Sequence, residues 1–209
     1  MGGEALQQAA WGLDVVLTAS QKALSAPPGL ALLVASPRAL AARRALAAPP
    51  PLTVDFEAWR PVHQAYAEGR AAYFATPATS LVHALDAALG ELVDDGVAEV
   101  AARHARAAAG MRAGLAAIGI RPVAEGCAAD TLTAAWLPEG ADGLVGAIAA
   151  RGVAVAGGLH PALRATTFRV GHMGYLTSRR DQLERGLRAV AEAAGRDPDA
   201  AAEALHDAL

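Results

Sequence analysis

Two short, densely apolar runs open the chain, Leu13-Asp14-Val15-Val16-Leu17 and Leu30-Ala31-Leu32-Leu33-Val34. Their apolar side chains fill consecutive positions instead of every second one, as in strands covered on both faces. Between them Thr18-Ala19-Ser20-Gln21-Lys22-Ala23-Leu24-Ser25-Ala26 is closed by Pro27-Pro28-Gly29, a strong breaker, so this stretch is predicted to connect strand ends. Ser36 followed by Pro37 predicts a helix start, and Pro49-Pro50-Pro51 stops that helix after Leu46. Over 52–70 no period emerges. That segment reads as a long connection in which Trp59 and Tyr66 serve packing.

Helical spacing returns after Tyr73-Phe74-Ala75-Thr76-Pro77. Leu81, Leu85, Leu89 and Leu92 form one apolar stripe, and beyond Gly96 a second helix carries Val97, Val100, Ala108, Met111, Leu115 and Ile118 up to Gly119. His104 falls on that second stripe and His83 beside the first, and both read as structural histidines. After Ile120 the texture turns to β. Thr131–Leu137 alternates up to Pro138-Glu139-Gly140, a short helix spans 143–150, and Val153-Ala154-Val155 leads to a turn at Gly157-Gly158. Thr167-Phe168-Arg169-Val170-Gly171 reads as a further strand. Ser178 and Asp181 have the spacing of a capping box before a helix presenting Leu183, Leu187, Val190 and Ala194, and the chain from Gly195 forms a last short helix. The expected division is the end of a larger domain's sheet over 1–70, a linking segment and helix over 71–96, and a smaller α+β domain over 97–209.

Composition narrows the function classes. Hydrophobic residues make up 54% of 209, ample for a core, although much of that fraction is alanine, which buries little area per residue. Net charge is −3 with no basic run, which argues against nucleic acid as a partner. Cys127 is the single cysteine, so an internal disulfide is excluded and an intracellular, reducing setting is expected. No apolar run approaches the ~20 residues of a membrane span, and no basic-then-apolar leader opens the chain. The scattered histidines show no metal-ligand spacing.

Two basic residues invite chemistry. Lys22 is the only lysine, every other cationic side chain being arginine or histidine. A lysine amine can act as a nucleophile toward carbonyls, or it can simply reach solvent from a loop. Arg169 sits in an otherwise apolar strand. There its planar fork either grips a carboxylate ligand through two hydrogen bonds or pairs with a nearby Asp or Glu.

Asp14-Val15-Val16-Leu17-Thr18-Ala19-Ser20-Gln21-Lys22-Ala23 followed by Pro27-Pro28-Gly29 resembles the cofactor-lysine segment of class V aminotransferases, most of all the alanine:glyoxylate and serine:pyruvate (serine:glyoxylate) branch. The resemblance runs from Gly2 to about Tyr175. It implies an α/β chain, the C-terminal part of a fold-type I enzyme, with pyridoxal 5'-phosphate carried on Lys22, which also shuttles the α-proton. Phe168-Arg169-Val170-Gly171-His172-Met173-Gly174 resembles the segment bearing the carboxylate-binding arginine, which makes Arg169 the substrate clamp. By the same resemblance Gln21 lies near the cofactor phosphate, with Ser20 or Thr18 as further donors. Tyr73 and Thr76 match a pair reaching the phosphate of a neighbouring subunit, which implies a homodimer, while Phe74 and Ala75 depart from the histidines of some relatives. Gly157 and Gly158 would allow close backbone approach, or make an ordinary turn.

The implied reaction moves an amino group between alanine or serine and glyoxylate or another 2-oxo acid. In the family, the aspartate on the pyridine nitrogen, the aromatic stacked on the ring and the start of the phosphate cup all precede this region. The 209 residues are therefore expected to be a C-terminal portion, with weak or no turnover alone. One alternative is a cysteine desulfurase or related lyase of the same class, against which stand Gln21, where a histidine is usual, and Cys127 in an undistinguished loop. The other is a non-catalytic remnant or assembly partner.

Overall fold

The computed structural model describes residues 2–209, which fall into two compact units. One comprises 6–21 and 26–88. The other comprises 2–5, 22–25 and 89–209, so the four residues from Lys22 to Ser25 belong with the C-terminal part of the chain.

In the first unit β1 (Val15–Ala19) and β2 (Ala31–Ala35) pair antiparallel, Val15 opposite Ala35 and Ala19 opposite Ala31. The covered sheet expected from these runs is not what forms within the unit. The sheet has two strands, and only Val16 is buried, Leu17 being 66% and Val15 49% exposed. Consecutive apolar positions place side chains on both faces of the hairpin, and two strands offer no layer to cover them.

Helix α1 (Pro37–Arg44) starts where expected, Ser36 Oγ accepting the Ala39 N–H at 3.1 Å. The unpatterned stretch after it is a helix, not a connection: α2 spans Phe56–Ala67. Asp55 caps it by accepting the Glu57 N–H at 3.0 Å, and Arg43 of α1 grips the same carboxylate with Nε and a terminal nitrogen, both at 2.6 Å. Val62 and Ala65 are its buried face. A cap supplied by a tertiary ion pair leaves no local spacing to read, and Pro61 within the helix hides the rest. Trp59 packs edge-on against Phe74 at 4.4 Å, whereas Tyr66 stays exposed.

Helix α3 (Thr79–Asp95) carries the leucine stripe, none of it fully buried, and the chain passes from one unit to the other within it.

The second unit is built on a three-stranded antiparallel sheet, order β3 (Leu132–Trp136), β5 (Thr167–Gly171), β4 (Ala156–Gly157). Helices α4 (Val97–Ala117), α5 (Leu144–Ala149), α6 (Arg180–Ala193) and α7 (Pro198–Asp207) complete it. Phe168, Val170 and Ala135 meet Met111, Leu115, Ile148, Leu187 and Leu205 in one continuous core. Helices α4 and α7 approach closely because α4 carries Gly110 and Gly114. A Cβ at Gly114 would lie 2.7 Å from the Ala201 carbonyl oxygen and overlap Leu187.

The start of α6 differs from the capping box expected. Ser178 Oγ donates to the Tyr175 carbonyl at 2.8 Å within a 3₁₀ turn (Gly174–Ser178), Arg179 occupies the cap, and Asp181 pairs with Arg179 instead. The turn satisfies the hydroxyl before the helix can use it.

Candidate functional site

Arg169 lies on the central strand, its cross-strand neighbours being Ala134 on β3 and Ala156 on β4. Phe168 and Val170 take the core face, so the guanidinium emerges on the opposite face between two methyl groups. Its Nε donates to the Gly157 carbonyl at 2.9 Å, which orients the fork. Among the described residues no carboxylate lies within 4.0 Å of it, so the ion-paired reading of this arginine has no partner here. Its two terminal nitrogens make no hydrogen bond among the described residues. Gly158 serves close packing against Thr167, whose carbonyl accepts its N–H at 2.8 Å, while the space beside Gly157 is open.

Lys22 belongs to the same unit. Its side chain is exposed, so its role does not rest on burial of the amine, and no carboxylate of the described residues pairs with it. The turn that carries it is tightly built. Ser25 donates its N–H to the Lys22 carbonyl at 2.9 Å and holds φ at +60°, a left-handed conformation that no other non-glycine residue among those described adopts. Ala23 and Leu24 beside it are buried. Ser25 Oγ accepts the Tyr175 N–H at 2.7 Å. Gly174 fits beneath the turn only as glycine, because a Cβ there would overlap Ser25 Oγ and lie 3.2 Å from the Lys22 carbonyl oxygen. The segment that follows Arg169 out of β5 thus carries the lysine turn.

Two buried histidines flank this segment. His104 Nδ1 lies 2.8 Å from the Val100 carbonyl, and its Nε2 accepts the Gly174 N–H at 2.8 Å. Those partners define a neutral ring protonated at Nδ1, and burial accordingly holds its pKa below the ordinary histidine value. His172 meets Thr133 Oγ1 through Nε2 at 2.8 Å and leaves Nδ1 without a partner. Burial pushes its pKa down to about 4. Sequence spacing placed His104 on a core stripe but could not show a bond to a residue 70 positions away.

The expected phosphate ligands belong to the first unit. Ser20 is fully buried, and its hydroxyl donates to the Pro27 carbonyl at 2.6 Å, so it closes its own loop and has no surface to offer a phosphate. Gln21 is exposed with an uncommitted amide. Tyr73 and Thr76 are both exposed, their hydroxyls 2.8 Å apart, on a segment fixed by the Trp59–Phe74 contact. These three lie in the first unit. Within the second unit, an exposed amine and a guanidinium with no carboxylate partner are groups of the kind that can engage a carbonyl and a carboxylate.

Comparison with known proteins bears on the family. No family model matches the chain. It is 30% identical over 181 residues to alanine–glyoxylate aminotransferase 1 of Saccharomyces cerevisiae, which covers 83% of this chain and 47% of that protein. It is 34% identical over 172 residues to the L-aspartate–glyoxylate aminotransferase of Paracoccus denitrificans, which covers 80% of this chain and 42% of the relative. The crystal structure of pyridoxamine–pyruvate aminotransferase from Mesorhizobium loti superposes with a TM-score of 0.86 at 30% identity, over 99% of this chain and 54% of that one. The chain therefore spans about half the length of the relatives it matches. Those relatives use pyridoxal phosphate, and the mixed α/β architecture here is that of the C-terminal part of a fold-type I enzyme. By sequence and by fold, the chain belongs to the class V aminotransferases and corresponds to their C-terminal portion.

Proposed function

We propose that this chain supplies the cofactor lysine and the substrate clamp for transamination between a small amino acid, alanine or serine, and glyoxylate or another 2-oxo acid. The observation that carries the reading is the unpaired Arg169 fork on a strand whose continuation supports the Lys22 turn. Pyridoxal phosphate, when bound, supplies the aldehyde that accepts the amino group and the ring that takes up the electron pair of the α-carbon.

The chain's own residues do the rest. Lys22 Nζ is the amine that would hold the cofactor and, when free, would move the α-proton of the substrate. Arg169 binds the substrate carboxylate through its two terminal nitrogens, while Nε stays on the Gly157 carbonyl. Fixing the carboxylate restricts rotation about the α-carbon and so aims the α-hydrogen at the amine. Gln21 offers its amide to the phosphate. Tyr73 and Thr76 offer their hydroxyls to the phosphate of a second subunit, in a two-fold dimer whose sites each draw on both chains.

The lysine chemistry of this chain is testable directly. Purified chain is mixed with pyridoxal phosphate, reduced with borohydride and mapped by mass spectrometry. The label is expected on Lys22 in preference to the N-terminal amine, and lost in Lys22→Ala. Equal labelling of both amines would overturn the reading. Product assays with alanine, serine or cysteine against glyoxylate then separate transamination from desulfuration.

A further inference from the structure

The lysine turn is held by a chain of bonds that begins on α4. Val100 O accepts a hydrogen bond from the His104 Nδ1–H, His104 Nε2 accepts the Gly174 N–H, and Tyr175, the next residue, donates its N–H to Ser25 Oγ. Gly174 itself is locked in position, with φ at +67° and no room for a Cβ between it and the Lys22–Ser25 backbone. We propose that His104 is a positioning residue for Lys22, its neutral imidazole acting through Gly174 and Ser25 to latch the lysine turn onto the segment that bears Arg169. This deepens the functional reading above and rests on it for the role of Lys22, but the latch is a property of the chain with or without cofactor.

The physical argument is one of donors and acceptors. Both of the histidine's bonds require the Nδ1–H tautomer. A second proton on Nε2 would set N–H against the Gly174 N–H, and one of the two must move. Gly174 has no freedom to shift alone, since it packs directly under the Lys22 carbonyl. Protonation therefore releases the turn, along with the left-handed Ser25 whose strain the Tyr175 bond helps to hold. The charged and titratable groups facing His104 are Arg103 on its own helix, Glu4 of the N-terminal strap, Asp130 before β3, and His172 beyond β5. Arg103 and His172 oppose a charge on the ring, Glu4 and Asp130 favour one, and burial, the largest influence, opposes it.

Because Lys22 is the only lysine, a lysine-specific endoprotease has one site in the chain, and its scissile bond leads into buried Ala23 and Leu24. The initial rate of that single cut reads the latch directly. It is measured from pH 5.5 to 8 and divided by the rate on a free Ser-Gln-Lys-Ala-Leu peptide. In the unmodified chain the normalised rate is expected to rise at least tenfold toward the acid end. His104→Ala is expected to be cut at least tenfold faster at pH 7.5 and to lose the pH dependence. His104→Gln, which keeps an acceptor near the Nε2 position, is expected to restore slow cutting at pH 7.5 without restoring the acid rise. That rescue distinguishes positioning from mere bulk.

Ser25→Ala removes the far end of the latch from the surface and covers the case in which the His104 variants fail to fold. It too is expected to be cut faster, with hydrogen exchange in α4 and α7 unchanged. A normalised rate that is flat with pH in the unmodified chain, or Ser25→Ala cut no faster than it, would overturn the proposal. Neither measurement needs cofactor. Failure of Lys22 to label with pyridoxal phosphate would instead sink the functional reading while leaving the latch result standing.

Discussion

Two apolar leucines separate the two units of this protein more clearly than any composition could. Leu187 on α6 is completely buried against Gly114, while Leu17 on β1 is 66% exposed on a two-stranded hairpin. Both stand in strongly apolar surroundings of the sequence. The second unit closes its core because four helices and a sheet supply facing layers, with glycines on α4 letting α7 come within backbone contact. The first unit has Trp11, Val15, Leu17, Leu33, Val34 and Leu46 all exposed. A cluster of that kind marks a surface made to be covered by something else. The lesson is that an apolar run states a demand for burial, and whether the demand is met depends on layers the run itself does not contain.

The sharpest way to break the comparison is truncation of a leucine on the buried side. Leu187→Ala should cost about 2–5 kcal/mol, the transfer loss plus a cavity that neighbouring helices cannot close. Since the chain has two units, a single melting point would blur the effect. Hydrogen exchange resolved along the chain should show α4, α6 and α7 opening together while β1 and β2 keep their exchange rates. Uniform loosening of both units would mean that they do not behave as separate cooperative bodies.

Acid should divide the units almost as strongly. His172 has a pKa of about 4 in the fold against 6.5 when free, and His104 is shifted the same way. Between those values the unfolded chain binds more protons than the folded one, so stability rises with pH. The contribution is complete above pH 6.5 and is lost as pH falls toward 4. For His172 alone the loss amounts to about 3 kcal/mol at most. In the first unit the buried titratable group is Asp55, and Arg43 holds its carboxylate below the usual range, so it stays ionised across this window. Exchange rates corrected for intrinsic pH dependence should therefore rise between pH 7 and 4.5 in the second unit and stay level in the first. Equal acid sensitivity in both would show that the histidines are not the cause.

How much of this was legible beforehand follows the same division. The strand carrying Arg169 and the helices of the second unit were readable because their periodicity is satisfied by their own unit. So were the residue types that carry chemistry, since a lone lysine and an arginine within an apolar strand are local facts. What escaped depends on partners distant in sequence. Helix α2 starts on an aspartate gripped by Arg43 of another helix, Ser178 is engaged by a 3₁₀ turn before it can cap, and Ser20 closes its own loop. His104 shows only a stripe position in sequence. Its bond to Gly174 and the Ser25–Tyr175 bond join residues 70 and 150 positions apart. The apolar runs of the hairpin state a demand for cover that the two strands of their own unit do not meet.

The smallest expected effect tests that last point most directly. Leu17→Thr replaces an exposed leucine by a β-branched polar residue of good strand propensity, so the loss of stability should be under about 0.5 kcal/mol. Solubility should change more than stability. Fewer apolar side chains on an open hairpin mean less association at high concentration and less binding of a dye such as ANS, which light scattering and fluorescence would report. The pair Leu17→Thr and Leu187→Ala therefore inverts two readouts: one should alter association with little change in folding, the other folding with little change in association. If Leu17→Thr instead destabilised the chain by several kcal/mol, its side chain would have to be covered in solution, and the hairpin face would already be engaged by another surface.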